Sequence, residues 1–262
     1  VLSVLSLVLN WQFTLEKQMS NIDEPNDQLI LVSGFSGVGK SASLRSIKNQ
    51  ERWLYLNTEA GKRLPFKNKF AAHRITDPYQ VHEAFDYAMG QVSVDGIIVD
   101  SLTFLMDMYE SLYVLPSTNT MKSWGDFAQF FKELMQQKVT SFGKPTIFTA
   151  HVLDVLDEAS MSMKTSVPVK GSLKNNGLEA YFSTVVSCKK VALKELEKYG
   201  NNLLTITDDE KELGYKHVFQ TRPTKATIGE RIRSPMGLFD KSQTYIDNDC
   251  QLLLDHLHKF YN

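Results

Sequence analysis

The chain has 262 residues, of which 42% are hydrophobic and 23% charged, a balance that supports a globular domain with a sizeable core. Its formal net charge is −1, which excludes a global positive field, so any contact with nucleic acid has to come from local patches.

Taken in order, residues 1–9 ("VLSVLSLVL") are apolar but too short to span a bilayer, and no basic residue precedes them. Met19 opens a polar lead into the first strand, so residues 1–18 are expected to be a non-native or upstream leader, with an amphipathic arm as the alternative. "LILVS" (29–33) predicts a strand, and residues 41–48 a helix. "RWLYLNTE" (52–59) alternates and predicts a second strand. Residues 77–91 carry Val81, Ala84, Phe85, Ala88 and Met89 at helical spacing, with Asp77 as cap and Pro78 in the first turn. "DGIIVDSLT" (95–103) reads as a buried strand, residues 124–142 as a long helix and "PTIFTAHV" (145–152) as a fourth strand. Strands alternating with helices predict a mostly parallel sheet flanked by helices.

Beyond His151 the character changes. Residues 156–176 are polar and rich in Ser, Met and Lys, which predicts a mobile loop. "YFSTVVSCKKVAL" and "GYKHVFQTRP" predict two strands that extend the sheet as a hairpin, and the last fifteen residues predict an amphipathic helix. Cys188 and Cys250 have no metal-ligand spacing and fit small buried residues in a reducing compartment. No segment predicts a membrane span.

One motif carries specific chemistry. Gly34, Phe35, Ser36, Gly37, Val38, Gly39, Lys40 and Ser41 fit G-x-x-x-x-G-K-[ST] between a strand and a helix that Ala42 continues. Glycines let the backbone N–H groups converge on phosphate oxygens, and the helix points its positive end at the same anion. Lys40 is then placed to reach the β- and γ-phosphates and Ser41 to ligate Mg²⁺, which implies a nucleoside triphosphate site. Asp100, closing the apolar strand "GIIVDS", is the candidate second metal-side residue. Glu59, after the strand that follows the phosphate loop, is placed to orient or deprotonate the attacking water. His151 at the end of "TIFTAH" is a candidate sensor of the γ-phosphate.

In this order the motifs resemble the RecA-like ATPase core, and more closely the small phage nucleotide-binding or Sak-type single-strand annealing ATPases. The residues that carry the likeness are "GFSGVGKS", "LNTE", "GIIVDSLT", the "WGDF" beginning at Trp124, "AH" at Ala150 and His151, and "PVKG" at 168–171. RecA-type recombinases usually carry glutamine where this chain has His151. The resemblance spans residues 28–240 and implies a RecA-like core over 19–240, closed by a C-terminal helix in 241–262.

It further implies ATP and Mg²⁺ as cofactors, single-stranded DNA as partner in recombination or replication, and a host-cell cytoplasmic location. A ring or filament with ATP between subunits is implied as well, with a single-strand binding or annealing protein as a further partner. The DNA-facing loops are expected at residues 109–123 and 155–176, the second carrying Lys164, Lys170 and Lys174. Lys225, Arg231 and Arg233 are the candidate residues that reach a neighbour's γ-phosphate. The same motifs leave open a helicase-type motor or loader. They also leave open a small-molecule kinase, for which "TRPTKATIGERIR" is the one candidate lid, and a DNA-binding module gated by nucleotide with negligible turnover.

Overall fold

Strand β1 (Leu29–Gly34) is buried along almost its whole length, and its alternation sets the layers of the molecule. Leu31 faces one core, with Leu54, Leu56, Ile97, Val99 and Phe148 on the same side of the sheet. Ile30 and Val32 face the other, with Trp53, Tyr55, Ile98 and Ile147. Successive residues of a strand point to opposite faces, so a strand that is apolar on both must be covered on both. The computed structural model describes residues 26–158, 161–175 and 177–262; the expected leader at 1–18 lies outside them.

The sheet has eight strands in the order β10-β9-β8-β1-β5-β4-β2-β3. The others are β2 (Trp53–Asn57), β3 (Ala71–Arg74), β4 (Gly96–Asp100), β5 (Thr146–His151), β8 (Thr184–Ala192), β9 (Tyr215–Gln220) and β10 (Tyr245–Asp247). Pairings from β3 through to β8 are parallel, whereas β9 runs antiparallel to β8 and β10 to β9. This is the expected parallel α/β sheet with its antiparallel C-terminal extension. Val81, Phe85 and Ala88 of the helix Tyr79–Met89 cover one face, together with Leu102, Leu105 and Met106 of Leu102–Tyr109 and Phe127, Phe130 and Phe131 of Thr120–Glu133. The helix Cys250–Tyr261 covers the other through Cys250, Leu253, Leu254 and Leu257. Burying each large apolar side chain is worth about 1.5–3 kcal/mol, so both layers are held chiefly by these helices.

Several expectations change. The segment after the phosphate loop is a short 3-10 helix, Ser41–Ser46, and not a helix over 41–48. Strand β2 stops at Asn57, because the chain turns through Ala60 and Gly61 at φ of 53° and 79°. Residues 156–176 are not a plain loop: β6 (Leu153–Asp157) and β7 (Ser162–Ser166) pair antiparallel as a separate hairpin. The expected loop at 109–123 is mostly helical, since wider π-type turns carry the helix on through Glu110–Val114 and the next begins at Thr120. Strand β3, mostly exposed, and three-residue β10 were too short and too little patterned to predict.

Candidate nucleotide site

β1 delivers the chain into the phosphate loop at the C-terminal end of the sheet, where parallel α/β folds gather their ligand sites. Gly34 has no room for a side chain, since a Cβ there would lie 2.7 Å from the Cys188 carbonyl oxygen. Gly39 sits at φ +101°, and a Cβ there would lie 2.8 Å from Nδ2 of Asn248. Among the described residues, none accepts a hydrogen bond from the backbone N–H groups of residues 36–40, so these donors remain unspent. Ser36, Gly37, Gly39, Lys40, Ser41 and Ala42 line a cleft of about 590 Å³, whereas Gly34, Phe35 and Val38 shape the loop from outside it. Because the 3-10 helix is so short, the anion must be held mainly by these amides and Lys40 rather than by a helix dipole.

Lys40 is buried. Its ammonium donates to the carbonyls of Gly34 at 2.9 Å and Phe35 at 2.8 Å and lies 3.4 Å from Nδ1 of His151. Burial lowers its pKa, partly offset by Cys188, Asp100 and Glu59 nearby. His151 reaches on through Nε2 to Oε1 of Glu59 at 3.4 Å, and Lys62 holds Oε2 of Glu59 at 3.1 Å. The His151 hydrogen bond is the largest influence on Glu59 and, with Lys62 and against burial, lowers its pKa to about 2. Lys40, His151 and Glu59, drawn from three separate segments, therefore form one connected chain.

Asp100 closes β4 in near-complete burial. One carboxylate oxygen accepts from the Tyr55 hydroxyl at 2.8 Å and the other from Thr149. Each oxygen keeps a further lone pair for a cation or its water. Ser41, Lys40 and Asp100 share the cleft with unspent amides, a donor set that fits a polyphosphate with Mg²⁺. Among the described residues no group of three or more His, Cys, Asp or Glu could hold a metal by itself, so an ion there would need ligands beyond such side chains, from water or a bound anion.

Several cleft residues escaped sequence reasoning: Tyr55, Arg45, Lys62, Arg63, Glu210, Lys216, His217 and Asn248. Lys216 is buried against Glu210 at 2.6 Å and Asp247 at 3.2 Å. Nδ1 of His217 lies 2.6 Å from the Val38 carbonyl oxygen, and Asn248 donates to the Gly39 carbonyl at 3.0 Å. The alternation of β2 does place Tyr55 on the same face as the loop. Arg45, Lys62 and Arg63 follow closely on the phosphate loop and Glu59, whereas Glu210, Lys216, His217 and Asn248 come from segments far away in sequence, with no motif to flag them.

The remaining candidates lie elsewhere. Lys225, Arg231 and Arg233 do not line their own chain's cleft. Arg231 is paired with buried Glu179 at 3.2 Å, while Arg233 is bridged to Val185 through its backbone and its exposed side chain makes a long contact to the Ala180 carbonyl at 3.4 Å. The stretch expected as a kinase lid is thus off the cleft, and Lys62 and Arg63 stand at it instead. In the hairpin region Lys164 pairs with Asp157 and Lys170 with Glu110, so that only Lys174 shows no acidic partner among the described residues. No helix among them is long and apolar enough to cross a membrane.

Free amides wrapped around a lysine, with acids waiting at the neighbouring strand ends, are the working parts of a P-loop ATPase core. Comparison with known families places the chain more narrowly. The model of the AAA domain family matches residues 26–230, and the chain belongs to that family of nucleotide-binding P-loop ATPases. No curated protein matches it.

Proposed function

We propose that the protein is a RecA-like, Mg²⁺-dependent ATPase that couples hydrolysis to single-stranded DNA in phage recombination or replication. The observation that carries this reading is the position of His151. It touches the phosphate-loop lysine and the candidate water-orienting glutamate, and two residues later the chain enters the β6–β7 hairpin. A change at the phosphates therefore has a short covalent path to the expected DNA element. The hairpin exposes Leu153, Val155 and Met163 beside Lys164, an apolar surface next to a cation that can meet a strand's backbone. Lys170, four residues past the hairpin, ties the following segment to Glu110, at the start of the first expected DNA segment.

In this reading Lys40 and the free amides of residues 36–40 bind and orient the triphosphate. Mg²⁺, when bound beside Ser41 and Asp100, neutralises charge on the β- and γ-oxygens. Glu59 accepts a hydrogen bond from the attacking water and aligns it. A carboxylate held near pKa 2 is a poor proton acceptor, so alignment is its main contribution while His151 stays bonded to it. Lys225 or Arg233, exposed and off their own cleft, suit a role at a neighbour's γ-phosphate in a homo-oligomer. A single-strand binding or annealing protein is a further partner of the proposed assembly.

The test is ATP hydrolysis by the purified protein with and without single-stranded DNA, alongside Lys40→Ala. Stimulation by DNA that disappears in the variant is expected. Turnover indifferent to DNA would shift the assignment to a motor awaiting another partner or to a kinase.

A further inference from the structure

We propose that His217 and Asn248, from the C-terminal strands, are positioning residues that aim two phosphate-binding amides of the loop. Asn248 and the helix behind it lie past residue 230, where the family match ends. The proposal rests on the nucleotide reading of the cleft and concerns how its donors are set.

In a trans peptide the C=O and the following N–H point in opposite directions, so fixing one fixes the other. Among the described residues the only cis bond is Asp100–Ser101, which leaves both loop peptides trans. The Val38 carbonyl accepts from Nδ1 of His217 at 2.6 Å and from the Cys188 thiol at 3.2 Å. A carbonyl only accepts, so Nδ1 carries the proton. This turns the Gly39 N–H away from β8 and β9. The Gly39 carbonyl accepts from Nδ2 of Asn248 at 3.0 Å and from the Ser43 N–H at 3.1 Å, and together they turn the Lys40 N–H away in the same manner. Neither N–H has an acceptor among the described residues, and both residues line the cleft.

Asn248 is itself fixed. It is buried, its Oδ1 lies 3.4 Å from the Cys188 sulfur, whose single hydrogen is shared with the Val38 carbonyl, and its backbone carbonyl accepts from Arg45 at 3.2 Å. Next to it, Asp249 accepts from Ser46 at 2.5 Å, and the Cys250 thiol lies 3.1 Å from the Ser43 hydroxyl. The turn between β10 and the last helix thus grips both the loop and the 3-10 helix after it. Pre-aimed donors bind a polyanion without an ordering cost at the moment of binding, so losing the grip weakens phosphate binding specifically.

The test measures dissociation constants for ATP and for inorganic triphosphate, by calorimetry, on the full chain and four variants. Asn248→Asp keeps the shape, removes the donor and sets a carboxylate against the Gly39 carbonyl; both constants are expected to rise at least about tenfold. His217→Ala is expected to raise both several-fold. His217→Asn retains an N–H near the place of Nδ1 and is expected to return within about twofold of wild type, a rescue that a general loss of stability would not give. Lys40→Ala serves as the non-binding control. If Asn248→Asp fails to fold, the His217 pair decides alone. Wild-type constants in Asn248→Asp and His217→Ala, or His217→Asn as weak as His217→Ala, would overturn the proposal while the nucleotide reading stands. A wild-type chain that binds neither probe would overturn both.

Discussion

Nε2 of His151 lies 3.4 Å from Oε1 of Glu59, and the side chain of Glu59 is only 10% exposed. This single contact does most to hold the Glu59 carboxyl at about 2, below its ordinary 4.5, while burial pulls the other way. A carboxylate whose folded pKa is depressed contributes stability that is complete above its unfolded value and is lost as pH falls through the folded one. The contribution of Glu59 is therefore present above about pH 4.5 and lost on descent towards about pH 2. In His151→Ala the carboxyl is expected to titrate markedly higher, because burial remains and the main opposing bond is gone. Carbon-13 NMR of labelled glutamate carboxyls measures it; a value still near 2 would mean that Lys62 alone holds the charge.

Glu59 also separates chemistry from binding. Glu59→Gln keeps the size and one acceptor but removes the charge that the proposed function gives the task of aligning water. Hydrolysis is expected to fall by about 10²–10⁴-fold with the ATP dissociation constant unchanged. Single-turnover rates beside equilibrium titrations give both numbers. Parallel loss of binding would place Glu59 in nucleotide capture instead.

Lys40 carries a burial cost and a ligand benefit, and Lys40→Met divides them. The methionine keeps an apolar stem in the buried site and removes an ammonium whose pKa burial has lowered. Saturating ATP at about 100 times its dissociation constant stabilises a native state by about 2.7 kcal/mol, equivalent to about 5–10 °C for a chain of this size. That ATP-dependent rise in Tm is expected in wild type and absent in Lys40→Met, while the unliganded Tm stays within about 3 °C. Thermal melts with and without ATP check both parts. An ATP shift surviving in the variant would remove Lys40 from the phosphate site.

The centre of this molecule was legible because it is built from local signals. The apolar runs of β1, β4 and β5 and the loop at 34–41 announce themselves within a few residues, and their order predicted the parallel sheet. What escaped depends on distance in sequence. Asn248 is 209 positions from the glycine whose carbonyl it holds, and no periodicity links them. The β6–β7 hairpin escaped for another reason. It is largely exposed, so no buried face imposes an alternating pattern, and its Ser, Met and Lys content reads as loop. The early end of β2 follows from the Ala60–Gly61 turn, where glycine gave a hint that a strong strand pattern outweighed.

Tyr55 holds Asp100 from the next strand, and its own pKa is raised by burial and by that carboxylate. Tyr55→Phe leaves one Asp100 oxygen without its buried donor, at a cost of about 1–3 kcal/mol in stability. The carboxylate also becomes freer to turn, so hydrolysis is expected to need several-fold more Mg²⁺ for half-maximal rate. Asp100→Asn is expected to lose hydrolysis by about 10²-fold or more at any Mg²⁺ concentration. Magnesium titrations of both variants distinguish the proposed roles, Asp100 holding the ion and Tyr55 orienting Asp100. An unchanged Mg²⁺ midpoint in Tyr55→Phe, with normal kcat, would reduce Tyr55 to a purely structural role.

The lysines of the hairpin and the segment after it differ in what each must give up to meet a phosphate. Lys164 and Lys170 are engaged by Asp157 and Glu110, and Lys174 has no acidic partner among the described residues. An exposed pair is worth about 0–1 kcal/mol, so exchanging a carboxylate for a DNA phosphate is close to neutral for the first two and favourable for the third. Each phosphate neutralised on a single strand adds about 0.7 to the slope of log K against log salt. Lys174→Ala is therefore expected to lower that slope by about 0.7, and Lys164→Ala or Lys170→Ala by less. Fluorescence anisotropy of a labelled oligonucleotide over a salt series supplies the slopes. Equal slopes in wild type and in the triple alanine variant would take the hairpin out of the DNA path and leave its exposed leucines and methionines for a protein partner.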